Sequence, residues 1–366
     1  MRILHLIQKK QRRGAEIFTC QLAQHQINSG HDVLIVYLFD GDAEMPVSEK
    51  LLVSLNGQKS KRWWDFKAYS TLNKIISEFD PDIVQANAGD TLKYSVLSKL
   101  LHTWKQPICF RNASMVSNYI KSPITKFINS FFYRYTDIIA SVSKSSMEDL
   151  NNLFPSTTEK TKVIPIGLDI DKINFTPSKY ETKKFNIIHV GGFTFEKNHE
   201  GLIRIFDRLL KKNNSHLHLI GDGPLRKKTE EEVEKLNLQH SVTFYGYVNN
   251  PLDYISGGDI FVLPSIIEGL PGVILEAMFC NIPVVAYDVG GIKEIIKEDI
   301  TGKLIKKNDE ETFVESIIIL MNNPELRNKI VSNAKALIEL KYNNSKISDE
   351  FISFYFKALN DDNKII

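Results

Sequence analysis

The residues best suited to bind or transfer a chemical group are two acids eight positions apart, Glu268 and Glu276. Gly269 and Pro271 stand between them and prevent a helix from continuing through this stretch, which predicts a tight loop. Over residues 272–280 the chain is apolar or glycine except at Glu276. A helix that is apolar on all sides is buried, and an unpaired buried carboxylate is costly. We therefore expect Glu276 to accept hydrogen bonds either from protein groups or from the hydroxyls of a ligand.

Glu268 comes just before this predicted helix. Backbone N–H groups and the helix dipole favour an anion at that position. The alternative is structural, with Glu268 capping the helix and Glu276 bonded inside the core. Two acids with glycines between them favour a ligand site over that alternative.

Strands and loops on both sides must hold these acids in place. An apolar run at 259–263 and a second at 282–286 predict strands, and Gly290 and Gly291 follow in a loop. The whole stretch is therefore predicted as strand, tight loop, short helix, strand and loop.

An earlier strand and helix carry a candidate phosphate ligand. A strand is predicted at 186–190, a turn at Gly191 and Gly192, and a helix at 200–211. Lys197 stands just before that helix, and a lysine at a helix N-terminus binds phosphate as a point charge.

The N-terminal half begins with a βαβ unit. A strand at 3–7, a helix at 14–28 and a strand at 33–39 predict a parallel sheet, because a helix connects the two strands. Gly14 follows the first strand, at the edge where open α/β sheets bind ligands. A solvated strand–helix loop is the alternative.

Composition and length bound the possible classes of protein. A chain of 366 residues with 43% hydrophobic and 25% charged residues is typical of two globular domains. We predict a first domain at 1–174, completed by a C-terminal helix at 345–360, a linker at 175–184 and a second domain at 185–344. No apolar run approaches the ~20 residues that span a bilayer. Three widely spaced cysteines favour reduced thiols, the cytoplasm and no zinc site.

The net charge of +2 is unevenly distributed, with +6 over residues 1–180 and −4 over the rest. Within the basic half, residues 59–67 mix cations with Trp63 and Trp64, a composition suited to a membrane surface. A helix start that packs both tryptophans into the core is the alternative, and the somewhat better supported one. A helix at 121–135 is predicted as a domain element with a solvated edge, with a membrane-surface role as its alternative.

The Glu268–Glu276 spacing, with Gly-Leu-Pro between, resembles the signature of retaining glycosyltransferases of the GT-B fold, family 4. The resemblance extends over 191–302, 1–40 and 137–170. It implies an α/β fold of two doubly wound Rossmann-like domains that face each other across a cleft, with a C-terminal helix crossing back to the first domain.

The resemblance also implies roles for individual residues. Glu268 and the amides after it would hold the donor sugar and diphosphate, and Glu276 would hold the ribose. Lys197 would grip the diphosphate, next to Gly192, which stands where the family has an arginine. The predicted catalytic residues are Glu268, Lys197, Arg111 and Asn112, the last two in a window where many relatives carry a histidine. The predicted substrate-binding residues are Gly14, Gly192, Lys197, Tyr247, Glu268, Gly269, Leu270, Pro271, Gly272 and Glu276. Tyr247 would lie near the nucleotide base, although a core tyrosine is an equal alternative.

The activity implied is hexosyl transfer from a nucleotide-sugar, a UDP-sugar, to a glycan or lipid-linked acceptor in bacterial surface polysaccharide synthesis. The configuration would be retained, without metal or cofactor. No nucleic-acid partner is expected, and peripheral contact with an anionic membrane at its inner face is an interpretation of the basic half. Two alternatives stay open. One is a non-catalytic GT-B partner subunit, which Gly192 and the missing histidine favour. The other is an epimerase of the same fold, for which we find no acid/base set.

Overall fold

A computed structural model describes residues 1–180 and 184–361 of the chain. The chain divides into two compact units. Unit 1 comprises Met1–Asp169 and the C-terminal segment from Asn344, and unit 2 comprises Ile170–Asn343. The domain bounds and linker predicted from sequence stay predictions, and residues 181–183 of that linker lie outside the described part.

Thirteen strands and thirteen helices are described, beside several short 3₁₀ turns. The strands are β1 Arg2–Lys9, β2 Asp32–Phe39, β3 Leu52–Ser54, β4 Ile83–Ala86, β5 Ile108–Asn112, β6 Ile138–Ser141, β7 Thr161–Val163, β8 Phe185–Val190, β9 Ser215–Ile220, β10 Val242–Gly246, β11 Ile260–Leu263, β12 Val284–Tyr287 and β13 Lys303–Ile305. The helices are α1 Gly14–Asn28, α2 Phe66–Phe79, α3 Gly89–His102, α4 Pro123–Arg134, α5 Lys144–Leu153, α6 His199–Leu210, α7 Arg226–Lys235, α8 Pro251–Ser256, α9 Gly272–Phe279, α10 Ile292–Ile295, α11 Glu310–Asn322, α12 Pro324–Lys341 and α13 Asn344–Asp361.

Each unit is built on one parallel sheet. The seven strands of unit 1 lie in the order β3-β2-β1-β4-β5-β6-β7, and the six of unit 2 in the order β10-β9-β8-β11-β12-β13. In unit 1, Leu4 of β1 pairs with Leu34 of β2 and Val84 of β4. Because helices cover both faces of such sheets, their central strands are nearly continuous apolar runs. The prediction of two doubly wound Rossmann-like units is confirmed.

The C-terminal helix α13 belongs to unit 1, as predicted. Phe351 and Tyr355 are fully buried, and the Phe351 ring lies 6.3 Å from that of Phe18 in α1. The backbone N–H of Asn344 donates to the Leu168 carbonyl at 2.9 Å. The first and last segments of the chain are thus joined in one core.

The tryptophans of the 59–67 run are not in the core. Trp64 is 74% exposed and Trp63 41% exposed, while the preceding residues form a 3₁₀ turn and α2 begins at Phe66. The buried residue at this helix start is its N-cap, Asp65, which accepts from the Ala68 N–H. The alternative that places both tryptophans in the core is therefore wrong.

Helix α4 has two apolar sides. Phe132 and Tyr133 face the core, whereas Ile124, Phe127 and Phe131 are exposed, Phe127 by 76%. Their spacing of three and four residues places the exposed three on one face. The outer edge of α4 is thus apolar, where sequence predicted a solvated edge. Of the helices described, none combines the length and the apolar character needed to cross a membrane.

Candidate functional site

Two loops at the carboxyl ends of β8 and β11 in unit 2 are bonded to each other. The Asn198 side-chain amide donates to the Pro264 carbonyl at 3.0 Å, and the Ile266 N–H donates to the Glu196 carbonyl at 2.8 Å. Asn198 is also the N-cap of α6, in the left-handed region with φ 55°. The carboxyl ends of parallel strands are where α/β sheets bind ligands, so this double loop lies at the expected edge.

Lys197 and Glu268, both predicted from sequence as ligand-binding residues, form an ion pair across this double loop. Lys197 Nζ donates to Glu268 Oε1 at 2.7 Å, and both side chains are largely buried. The N-cap of α9 is Pro271, and no side chain accepts from the first turn of α9. The alternative of Glu268 as a helix cap is therefore wrong. Its carboxylate instead holds the lysine, which keeps two N–H donors for a ligand.

Close backbone contact fixes the loop that begins at Glu268. Gly290 has φ +55°, and a Cβ there would lie 2.0 Å from the Glu268 carbonyl oxygen. The Gly291 N–H donates to the Gly269 carbonyl at 2.7 Å. Only glycine permits this approach. The loop is thus held in front of α9, whose first-turn N–H groups have no partner within the helix.

Glu276 lies on a partly exposed face of α9. Val273 and Phe279, three residues away on either side, are also partly exposed, so the expectation of a helix buried on all sides is wrong. The reason is that the inner face already fills the core with Ile274, Leu275, Ala277 and Met278. Among residues 1–180 and 184–361, no group hydrogen-bonds to the Glu276 carboxylate. Burial raises its pKa to about 7, and nearby Lys197 opposes this shift. The structure therefore leaves this carboxylate available to a ligand.

The turn at Gly191 and Gly192 is packed on one side and open on the other. Gly221 has φ +127°, and a Cβ there would lie 2.2 Å from the Gly191 carbonyl oxygen. A Cβ on Gly192 would meet nothing closer than the Asp222 carbonyl oxygen at 3.7 Å, an ordinary contact. Gly192 is thus not required by packing against its Cβ position.

Two buried histidines beneath this turn were not predicted from sequence. His189 Nδ1 hydrogen-bonds to the Val262 carbonyl at 2.9 Å, and the His199 ring stacks on Phe193 with centroids 3.9 Å apart. Burial lowers the pKa of His189 to about 4 and that of His199 to about 2, so both are neutral at physiological pH. Lys197 is therefore the cation of this loop. A histidine inside a largely apolar strand is a sequence signal that could have indicated His189, whereas His199, the first residue of α6, has no such signal.

Three further predicted residues of unit 2 lie in different places: Gly272 is the first residue of α9, Leu270 is buried, and Tyr247 lies at the surface. Tyr247 follows β10 and is 72% exposed, so the alternative of a core tyrosine is wrong.

The predicted residues of unit 1 lie at the carboxyl edge of its sheet. Gly14 is the first residue of α1, and a Cβ on it would meet nothing within 4 Å. Asn112 is buried and donates to Ser141 Oγ and the Ser146 carbonyl, so its amide serves the fold. Arg111 is only 2% exposed and reaches the first turns of α1.

Comparison with known proteins identifies the family. The model described as glycosyl transferases group 1 matches residues 169–337, and that of glycosyltransferase family 4 matches 12–172. A glycosyltransferase of Haemophilus influenzae, named as uncharacterized, is 30% identical over 92% of this chain and 95% of its own length. The chain belongs to the glycosyl transferases group 1 family.

Other members of the family match over part of their length. A Campylobacter jejuni enzyme, N-acetylgalactosamine-N,N'-diacetylbacillosaminyl-diphospho-undecaprenol 4-alpha-N-acetylgalactosaminyltransferase, is 29% identical over 62% of this chain and 63% of its own. The chain spans 60% to 66% of the length of the first curated relatives that it matches. Anabaena HepE, solved with UDP and glucose, has a TM-score of 0.82 at 20% identity over 96% of this chain and 98% of its own, a likeness of fold.

We predict that Lys197→Ala loses affinity for UDP and also destabilises the chain, because it leaves the Glu268 carboxylate largely buried and unpaired. The expected loss of unfolding free energy is ~1–3 kcal/mol. The double variant Lys197→Ala/Glu268→Gln should recover most of that stability without recovering UDP affinity. Chemical denaturation and calorimetric titration measure the two quantities. A double variant that binds UDP like the parent would show that Lys197 serves only the fold.

We also predict that Gly192→Arg tightens UDP binding about tenfold, the effect of one charge-assisted hydrogen bond. The melting temperature of the unliganded chain should hardly change, because a Cβ at this position makes only ordinary contacts. Gly192→Gln is the control for size without charge and should have little effect. Weaker or unchanged binding in Gly192→Arg would contradict the placement of Gly192 beside the diphosphate.

Proposed function

We propose that this family member transfers a sugar from a nucleotide-sugar, a UDP-sugar, to a glycan or lipid-linked acceptor, with retention of configuration, in bacterial surface polysaccharide synthesis. This proposal is carried by two observations: Lys197 and Glu268 form a largely buried ion pair, and the Glu276 carboxylate has no hydrogen-bond partner among the described residues. Together they offer a cation for a diphosphate and an acceptor of hydrogen bonds for ribose hydroxyls.

Catalysis would come from positioning and electrostatic stabilisation. Lys197 and the first amides of α9 would stabilise the charge that develops on the departing diphosphate. Glu268 would fix Lys197 through one carboxylate oxygen and orient the donor sugar with the other. Tyr247, exposed after β10, would lie near the base. No metal or cofactor is required in this scheme.

The named relatives support these substrate classes. The Campylobacter jejuni relative is named for a diphospho-undecaprenol acceptor, and HepE was solved with UDP and glucose. A glycan or polyprenol-linked acceptor and a uridine nucleotide donor are therefore the first substrates to test here.

Contact with an anionic membrane is part of the proposal. The exposed Lys59, Lys61, Trp63, Trp64, Phe66 and Lys67 form a surface that we call the basic-aromatic surface. The Trp63 ring lies 6.1 Å from that of Phe132, and the Phe132 ring lies 5.6 Å from that of Phe131. Buried Phe132 of α4 therefore lies between Trp63 of this surface and Phe131 of the exposed apolar face of α4. Cations beside aromatic and aliphatic tips suit a headgroup interface. We place the enzyme in the cytoplasm, at the inner face of the membrane.

The proposed role of Glu276 predicts a dependence of UDP binding on pH. Ribose hydroxyls donate to the carboxylate, so donor binding by Glu276 requires its ionised form, which increases through its pKa of about 7. The ratio of UDP affinities of the parent and Glu276→Gln should rise about tenfold between about pH 6 and about pH 8. Titration of UDP itself cancels in this ratio. A ratio that is independent of pH would contradict the proposed role.

The same shift has the opposite effect on stability. The folded chain holds the Glu276 proton more tightly than the unfolded chain does, so the residue's contribution to the free energy of unfolding falls as pH rises through about 7. As pH rises through about 7, Glu276→Gln should therefore become more stable relative to the parent.

The proposed membrane contact predicts binding to anionic liposomes. Each cation near an anionic leaflet contributes ~1 kcal/mol, which salt screens, whereas inserted aromatic tips resist salt. Cosedimentation should rise with anionic lipid, fall in Lys59→Glu/Lys61→Glu, and become more salt-sensitive in Trp64→Ala/Phe127→Ala. Leu340→Ala, at an exposed apolar position of α12, is the matched control and should bind like the parent. Failure of the parent to bind anionic liposomes at low salt would reject this part of the proposal.

A further inference from the structure

The ends of β8 and β11 diverge where the strand order of unit 2 reverses. The two strands are neighbours in the sheet, but their pairing ends at Ile188 and Phe261, whereas β8 stays paired with β9 as far as Val190. Open α/β sheets bind ligands at such a reversal of strand order. The gap between the two strand ends therefore opens into the double loop that carries Lys197 and Glu268.

The side chain of His189 bridges this gap. His189 follows the last paired residue of β8, is fully buried, and its Nδ1 hydrogen-bonds to the Val262 carbonyl at 2.9 Å. Because a carbonyl only accepts, Nδ1 carries the proton of the neutral ring and Nε2 is its acceptor atom. Val262 follows Phe261, the last paired residue of β11. The imidazole thus extends the connection between the strands by one residue beyond their backbone pairing.

The same ring lies against the segment that carries Lys197. A Cβ on Gly191 would lie 3.1 Å from His189 Nε2 and 3.3 Å from Lys197 Cδ, so the imidazole and the lysine stem meet at Gly191. The His189 ring also packs edge-on against the ring of His199, with centroids 4.8 Å apart. His189 therefore contacts residues 191–199 near both ends of that segment.

Packing alone does not require a histidine at this position. Nε2 of His189 is buried and has no hydrogen bond among the described residues. An unpaired buried polar atom lowers stability. The other buried residues of β8 are Ile187, Ile188 and Val190. A leucine at 189 would avoid the unpaired nitrogen but could not donate to Val262, so the position of the N–H explains the histidine better than packing does.

We propose that His189 is a positioning residue of the donor site. Its N–H holds the end of β11, and with it the loop that leads to Glu268, at a fixed distance from the loop of Lys197. The ion pair and the remaining lysine donors are thereby kept in place for the diphosphate. The positioning of the two loops is independent of the proposed function, whereas its effect on nucleotide binding rests on that function.

Two substitutions of His189 in the full chain separate its N–H from its volume. His189→Leu removes the donor, whereas His189→Asn places an amide N–H where Nδ1 stood. In the unliganded chain, His189→Leu should raise amide hydrogen exchange about tenfold at residues 191–198 and 265–268. Its affinity for UDP, measured by calorimetric titration, should fall about tenfold. His189→Asn should recover most of both losses.

The matched control makes the same change on the neighbouring strand β9. His218 is 2% exposed, and its ring nitrogens hydrogen-bond to Tyr245 Oη at 2.9 Å and Asn186 Oδ1 at 3.1 Å. His218→Leu leaves both partners unpaired, so its melting temperature should fall more than that of His189→Leu. Its exchange at the two loops and its UDP affinity should equal those of the parent.

The outcomes distinguish this role from the donor site itself. Unchanged exchange at both loops in His189→Leu, or an equal loss in His189→Leu and His189→Asn, would overturn the proposal. UDP binding that is equally tight in the parent and His189→Leu would do the same. A parent that does not bind UDP, while His189→Leu still loosens both loops, would refute the donor site and leave the positioning of the loops intact.

Discussion

The ion pair between Lys197 and Glu268 is the interaction on which the proposed donor site depends. It joins residues 71 positions apart in sequence, and the two loops that carry them are also held together by the bonds of Asn198 and Ile266. In a site shielded from water, a lysine must be paired to remain charged and ordered. Glu268 satisfies this need with one oxygen atom and leaves Lys197 donors free. The glycines at 290 and 221 serve the same end, because they allow the loops to approach closely enough for the pair to form.

Lys197 of unit 2 and Arg111 of unit 1 are both largely buried cations, but their charges are stabilised in different ways. Lys197 is offset by a carboxylate at 2.7 Å, and the histidines beneath it are kept neutral by burial. Arg111 donates to neutral oxygen atoms at 3.3–3.4 Å, and the charge of buried Glu16 partly offsets the effect of burial on its pKa.

Much of this architecture could be predicted from sequence, for physical reasons that differ between elements. The apolar runs of β8 and β11 and the loop-forming glycines identified the strands and each of the two loops, because these signals are local. The partner of Lys197 could not be inferred, since nothing local joins it to Glu268. The exposed face of α4 was missed because Ile124 and Phe127 have the same helical spacing whether they face the core or solvent. Glu276 was expected to be buried on an apolar helix, but the inner face of α9 had already filled the core.

Amide hydrogen exchange of the full chain, with and without saturating UDP, tests the donor site most directly, because it locates binding without knowledge of the acceptor. We expect UDP to slow exchange at residues 191–198 and 268–276, and Glu276→Gln to reduce the effect. Protection confined to other segments of the chain, or no protection at a concentration that saturates binding, would contradict it.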